Sequence, residues 1–195
     1  MEITTQDIQK LRSETGAGVM DAKKALQESG GDYDKAINWL KKRGQKIALS
    51  KQSRKTNEGV IGCYIHANAK VAALVALTCE SDFVAKTEDF KTLAHDLAMQ
   101  VAATDPQYIS PENVPTDIIE HEKEIYRVQL KNEGKPEKIW EKIITGKIQK
   151  FFSENCLLKQ VFIKDDDKTV EQLIQAQVLK FGENIQIREI KRMSL

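Results

Sequence analysis

The chain has 195 residues, 41% of them hydrophobic and 30% charged, with a net charge of +1. That length fits one or two ordinary domains, and the composition excludes a wholly disordered chain. A mean hydropathy of −0.47, with no apolar run near 18 residues, excludes a transmembrane helix.

Residues 4–43 read as three short helices. Thr4 or Thr5 can cap the first, and Ile8 and Leu11 share one of its faces. Thr15-Gly16-Ala17-Gly18 breaks it, because glycine takes backbone angles that other residues resist. The second helix is expected over 19–27, ending at Ser29-Gly30-Gly31. Asp32 caps the third, whose apolar face carries Ala36, Ile37 and Leu40 beside Trp39, and Gly44 is the expected stop. A pack this small is marginal alone.

The net charge conceals an asymmetry. Residues 1–55 hold twelve Lys/Arg against seven Asp/Glu, and the remainder holds eighteen against twenty-two. Seven basic residues and no acidic one fall between Lys41 and Lys55. Residues 45–57 therefore read as a basic, partly helical linker. This stretch raises an alternative function, a nucleic-acid-binding module. Against it, the stretch lacks interleaved aromatics and any groove-reading motif.

Beyond the linker the period becomes strand-like. Residues 59–66 and 71–78 form a hairpin around Ala67-Asn68-Ala69-Lys70. A turn centred there does not place Cys63 opposite Cys79. The three cysteines, Cys63, Cys79 and Cys156, are too few and dispersed for a disulfide framework. The opening residues show neither a secretory leader nor a transit pattern, so a cytoplasmic location is expected.

A long helix is expected over 85–103, with Phe90, Leu93, Ala94, Leu97, Ala98 and Val101 as its apolar stripe. Asp105-Pro106 ends it. Two further helices follow over 117–132 and 137–152, flanking Gly134-Lys135-Pro136. Ile118, Ile125, Val128, Ile139, Ile143 and Ile148 are their expected facing positions. A strand over 160–164, a helix over 170–181 and a last strand over 183–190 complete the chain. The Asp165-Asp166-Asp167 run reads as a turn and helix cap that Thr169 can share. The fold class is α+β: a three-helix pack, then a core with a small antiparallel sheet and helices.

Chemistry-bearing patterns are sparse. The GxG at Gly16 and Gly18 follows no strand and reads as a turn between helices. His66, His95 and His121 lie in different elements and lack metal-ligand spacing. No catalytic residue, metal site or cofactor is expected. The unusual feature is Cys79-Glu80-Ser81-Asp82-Phe83-Val84-Ala85, where a buried strand meets the long helix. Asp82 can cap that helix. Phe83 either staples the helix start to the core or projects as an aromatic wedge for a partner's groove.

Residues 11–26, Leu-Arg-Ser-Glu-Thr-Gly-Ala-Gly-Val-Met-Asp-Ala-Lys-Lys-Ala-Leu, resemble the N-terminal motif of the bacterial elongation factor Ts family. Asp82-Phe83-Val84-Ala85-Lys86 resembles its second motif. Gly134-Lys135-Pro136, residues 157–160 and residues 161–165 resemble later segments, in the same order along the chain. Ser81 stands where the family usually has threonine; Ala76 and Thr78 stand where it often has glutamate and asparagine.

The resemblance implies a translation elongation factor that exchanges guanine nucleotide on elongation factor Tu. It implies a ubiquitin-associated-like domain over 1–44 docking on Tu, the linker 45–57, and an α+β core over 58–195 for dimerisation and Tu contact. Carried over by motif, Val19, Met20 and Lys23 are N-terminal contacts. Ser81, Asp82, Phe83 and Val84 form the segment that disturbs the partner's magnesium and phosphate site, with Phe83 as wedge. Longer relatives hold two core units. A chain with one is expected to pair, giving a homodimer and a two-plus-two complex with Tu.

Overall fold

A computed structural model describes residues 3–195; Met1 and Glu2, which begin the 1–44 domain expected above, lie outside them. Three helices come first: α1 (Thr5–Thr15), α2 (Val19–Glu28) and α3 (Tyr33–Lys51). Thr4 caps α1 in a capping box with Asp7, and Asp32 caps α3 through the amide of Lys35. Leu11, Ala22, Ala25, Leu26, Ala36 and Leu40 close a small core between them.

Gly44 does not end the third helix. It lies buried inside α3, which runs one long stretch of 19 residues to Lys51. Its role is proximity: a Cβ there would lie 3.2 Å from the Gln175 carbonyl oxygen of a later helix. Before Gly44, α3 packs in the N-terminal cluster; after it, Ile47 and Ala48 pack on the main core. The linker expected over 45–57 is thus helical to Lys51.

Strands β1 (Glu58–Ile65) and β2 (Val71–Cys79) form the expected hairpin, with Cys63 opposite Leu74 and Cys79 opposite Glu58. All three cysteines are free. The long helix is divided. A single turn, α4 (Asp82–Ala85), precedes α5 (Glu88–Thr104). Two hydroxyls separate them: Ser81 caps α4 through the Val84 amide, and Thr87 caps α5 through the Phe90 amide. Asp82 is not the cap expected of it.

Helices α6 (Thr116–Asn132) and α7 (Trp140–Asn155) form a hairpin. Its interior is Leu130, Ile144 and Ile148, with Ile119, Tyr126, Trp140, Ile143 and Phe152 packed alongside. Of the facing positions expected there, Ile125, Val128 and Ile139 are exposed instead. The register of α6 is rotated by about one residue, so Ile119 and Tyr126 take the inner places.

Short strands β3 (Val161–Phe162) and β4 (Asp165–Thr169) pair next, so the aspartate run is a strand rather than a turn. Then come α8 (Val170–Phe181), capped by Thr169 and Gln172, and β5 (Ile185–Ser194). Strand β5 pairs antiparallel with β2, giving the order β1-β2-β5.

The main core lies between this sheet, α5 and α8. All six stripe residues of α5 are buried against Ala73, Val75 and Leu77 of β2, with Val170, Leu173, Ile174 and Val178 of α8. The β1 backbone meets α5 directly, since a Cβ on Gly62 would fall 2.2 Å from the Ala94 carbonyl oxygen. One polar pair is fully enclosed. Gln100 bonds the Gln160 side chain, the Val161 carbonyl and the Ile163 amide, so no amide dipole is left unpaired. Among the described residues, no helix is long and apolar enough to cross a membrane.

Candidate partner-binding site

Two exposed apolar features stand out. The first is the start of α2. Its inner face is Ala22, Ala25 and Leu26; helical spacing turns Met20 away from that face, Lys23 lies at its exposed flank, and Val19, in the first turn above Ala22, is left uncovered. Met20 is 75% exposed and Val19 51%. The neighbouring Asp21 is not free, because Arg43 of α3 holds it at 2.7 Å.

The second is the turn after β2, where Phe83 is 81% exposed. This decides between the two readings of Phe83: it projects and is no staple. The staple role falls to Val84 and Ala85, both buried in the main core. Val84, 9% exposed, anchors the turn from within. Asp82, beside Phe83, pairs with Lys86 one helical turn later. The bond from Lys86 holds the Asp82 carboxyl below the usual aspartate range, so it is ionised at neutral pH.

Behind the turn lies a set of bonds that the sequence pattern did not reveal. The Glu183 carboxylate accepts from the Glu80 amide (3.1 Å), the Ser81 amide (3.0 Å) and the Ser81 hydroxyl (2.6 Å). In return, Glu80 accepts from the Asn184 amide at 2.6 Å and meets Arg54 at 3.4 Å. These contacts hold the Glu80 carboxyl below its ordinary range, the Asn184 amide most of all. Asn184, itself buried, donates its side-chain amide to the Arg54 carbonyl. Residues more than a hundred positions apart are joined here, and no local motif marks Glu183 or Asn184.

The basic stretch is partly consumed by the fold. Arg43 pairs with Asp21, Lys51 donates to the Gly182 carbonyl and Arg54 meets Glu80. His66 and His95 gather around Tyr64, the first within hydrogen-bond distance of its hydroxyl and the second edge-on to its ring. His121 lies apart on α6. Among the described residues, no group of three or more His, Cys, Asp or Glu is placed to hold a metal ion.

The site is thus a surface with an exposed aromatic, an exposed methionine and an ionised carboxylate. Such a set suits insertion into another protein. A family model described as elongation factor TS matches residues 4–180. A protein named elongation factor Ts from Moorella thermoacetica is 50% identical over 190 residues, covering 97% of this chain and 94% of its own length. One of that name from Syntrophus aciditrophicus is 50% identical over 195 residues, all of this chain and 97% of the relative. One from Fervidobacterium nodosum is 49% identical over the same span, 99% of its own length. A match along nearly the whole of each chain means that this protein belongs to the elongation factor Ts family of translation elongation factors.

Proposed function

We propose that the protein is a guanine nucleotide exchange factor for elongation factor Tu, acting in the cytoplasm. The observation that carries this is the outward projection of Phe83 from a turn whose next two residues are buried. The helical head, residues 1–44, docks on the nucleotide-binding domain of Tu through Val19, Met20 and Lys23. The core, residues 58–195, inserts Phe83 between helices of Tu near its magnesium and phosphate site, with Ser81 and Val84 holding the wedge from behind. Asp82 competes for the groups that order the partner's magnesium shell.

An exchange factor breaks no covalent bond, and needs none of the nucleophile–base pairs that hydrolases use. It must bind the nucleotide-free partner more tightly than the GDP-bound one. That difference is a coupling free energy, and it is reciprocal: GDP weakens factor binding by the same ratio. Phe83 supplies apolar area that is buried only when the wedge is in place, worth about 1.5–3 kcal/mol when complete. That alone favours the inserted state by roughly ten- to a hundredfold.

The test is release of fluorescent GDP from loaded Tu. Wild-type factor accelerates release, and Phe83→Ala slows it at least about tenfold while its circular dichroism spectrum is unchanged. Equal rates for the two proteins would remove the wedge. Strong, salt-dependent binding of RNA by the full chain, with no effect on GDP release, would instead favour the nucleic-acid reading. Internal use of Arg43, Lys51 and Arg54 counts against that outcome.

A second copy of the chain is the other proposed partner. On the face of the sheet away from α5, Ile61, Ile65, Leu74 and Met193 are exposed. Strand register sets Ile65, Ala72 and Met193 in one row, and Cys63, Leu74 and Lys191 in the next. A largely apolar face of this kind, edged by Lys191, suits isologous pairing, in which the same surface serves both copies. Leu74→Glu is expected to halve the mass in solution and to convert a two-plus-two complex with Tu into one-to-one. A monomeric wild-type particle would exclude the dimer.

A further inference from the structure

We infer that Glu183 is a positioning residue for exchange, holding the Phe83 turn at its working angle through the backbone of Glu80 and Ser81. This rests on the wedge reading above and names the part of the fold on which the wedge depends.

The need for such a residue follows from the length of α4. Four residues form a single helical turn, too short to be stable by its own ladder. Val84 and Ala85 fix its inner side only. The outer side, carrying Asp82 and Phe83, depends on how the chain leaves β2. There the β2–β5 ladder stops, at Cys79 opposite Ile185. The next two amides on the β2 side, those of Glu80 and Ser81, have no strand partner. The Glu183 carboxylate takes both on one oxygen, and the Ser81 hydroxyl on the other. The same hydroxyl receives the Val84 amide at 3.4 Å, so Glu183 also sets the cap of the turn. Glu80 closes the reciprocal bond to Asn184. The ladder is therefore extended by side chains across the step at which the wedge begins.

The arrangement is also locked from the N-terminal side. Asn184 holds the Arg54 carbonyl, Lys51 holds the Gly182 carbonyl, and Arg54 meets Glu80. The end of α3 and the root of the wedge thus meet at residues 182–184. Cys79, buried behind them, donates its thiol to the Ser81 carbonyl at 3.2 Å.

The experiment combines GDP release from Tu with amide exchange on the free factor. Glu183→Ala is expected to lower the maximal stimulated rate about tenfold, and to shift the half-saturating factor concentration less than threefold, because the head still docks. Glu183→Asp keeps the charge but withdraws the oxygens by one methylene; it should behave like Glu183→Ala, and stands in for it if that variant fails to fold. Glu183→Gln retains an oxygen for the two amides and should stay within threefold of wild type. The Glu80 and Ser81 amides should exchange at least tenfold faster in Glu183→Ala, with those of α5 unchanged. The decisive arm is the background: Glu183→Ala should cost clearly less when added to Phe83→Ala than in wild type, because only Asp82 is then left for the turn to place. Wild-type maximal rates in Glu183→Ala or Glu183→Asp would overturn the assignment. So would unchanged amide protection, or a further tenfold loss in the Phe83→Ala background. If Phe83→Ala itself releases GDP at the wild-type rate, the wedge reading fails first, and visibly so.

Discussion

Asp82 and Glu80 sit two residues apart and play different parts, and their partners explain why. Asp82 is half-buried, but its side chain keeps 44% of its accessible surface and pairs with Lys86 on the outside, so its charge can be reached from solvent. Asp82→Asn preserves shape and removes charge; it is expected to slow stimulated GDP release about tenfold, a cost of ~1.4 kcal/mol. A wild-type rate would show that the carboxylate charge is not used. Glu80 is turned inward, and its depressed pKa makes it a stabiliser with a defined pH window. Its contribution is complete above the unfolded value of about 4.3, and is lost as pH falls through the lower folded value. The urea midpoint of wild type should therefore exceed that of Glu80→Gln at pH 7, and the gap should narrow as pH falls below about 4.3. A gap that persists into acid would mean the carboxylate contributes by shape alone. On the head, Met20→Glu places a charge on the exposed face proposed to dock, and should weaken Tu binding at least about tenfold, with an unchanged Tm.

At the scale of the element, periodicity was informative wherever one face of a helix or strand meets a large core. The stripe of α5 was legible residue for residue, because six apolar side chains at 3,4 spacing have only one way to be buried. The β1–β2 hairpin was legible too, from its strand-like runs and the turn between them. Legibility failed where the deciding contact is distant in sequence. Nothing local says that Gly44 is a crossing point rather than a helix stop, since the reason is the Gln175 carbonyl. The α6 face differs from its periodicity because the hairpin interior is narrow: Leu130, Ile144 and Ile148 fill it and leave flanking Ile125 and Val128 uncovered. The exposed half of the site was readable as motif. Its supporting half, Glu183 and Asn184, was not, because a carboxylate accepting backbone amides has no characteristic spacing. Tight contacts make sharp predictions at this scale. Gly62→Ala forces β1 and α5 apart, because the obstacle is backbone, and should cost about 1–3 kcal/mol in denaturant unfolding. An unaltered midpoint would show that the sheet shifts without penalty.

For the molecule as a whole, the head and the core are two hydrophobic clusters joined by shared secondary structure. Leu179 of α8 packs against the head, Lys180 pairs with Asp89 of α5, and α3 belongs to both clusters. Gly44→Val should be destabilising, and should also weaken Tu binding beyond any effect of its stability, because it re-aims the head relative to Phe83. The unbroken α3 has one more consequence. A helix of 19 residues spans about 28 Å at 1.5 Å per residue. On the proposed reading, with no floppy tether between Met20 and Phe83, the factor would meet Tu as a caliper of set opening. Once Met20 had seated, the proposed wedge would search a small volume, and its effective concentration would be far above that of a flexibly linked module. A caliper also excludes by size: a related GTPase whose two receiving grooves lie a few ångströms further apart can be gripped at one end only, and would keep its nucleotide.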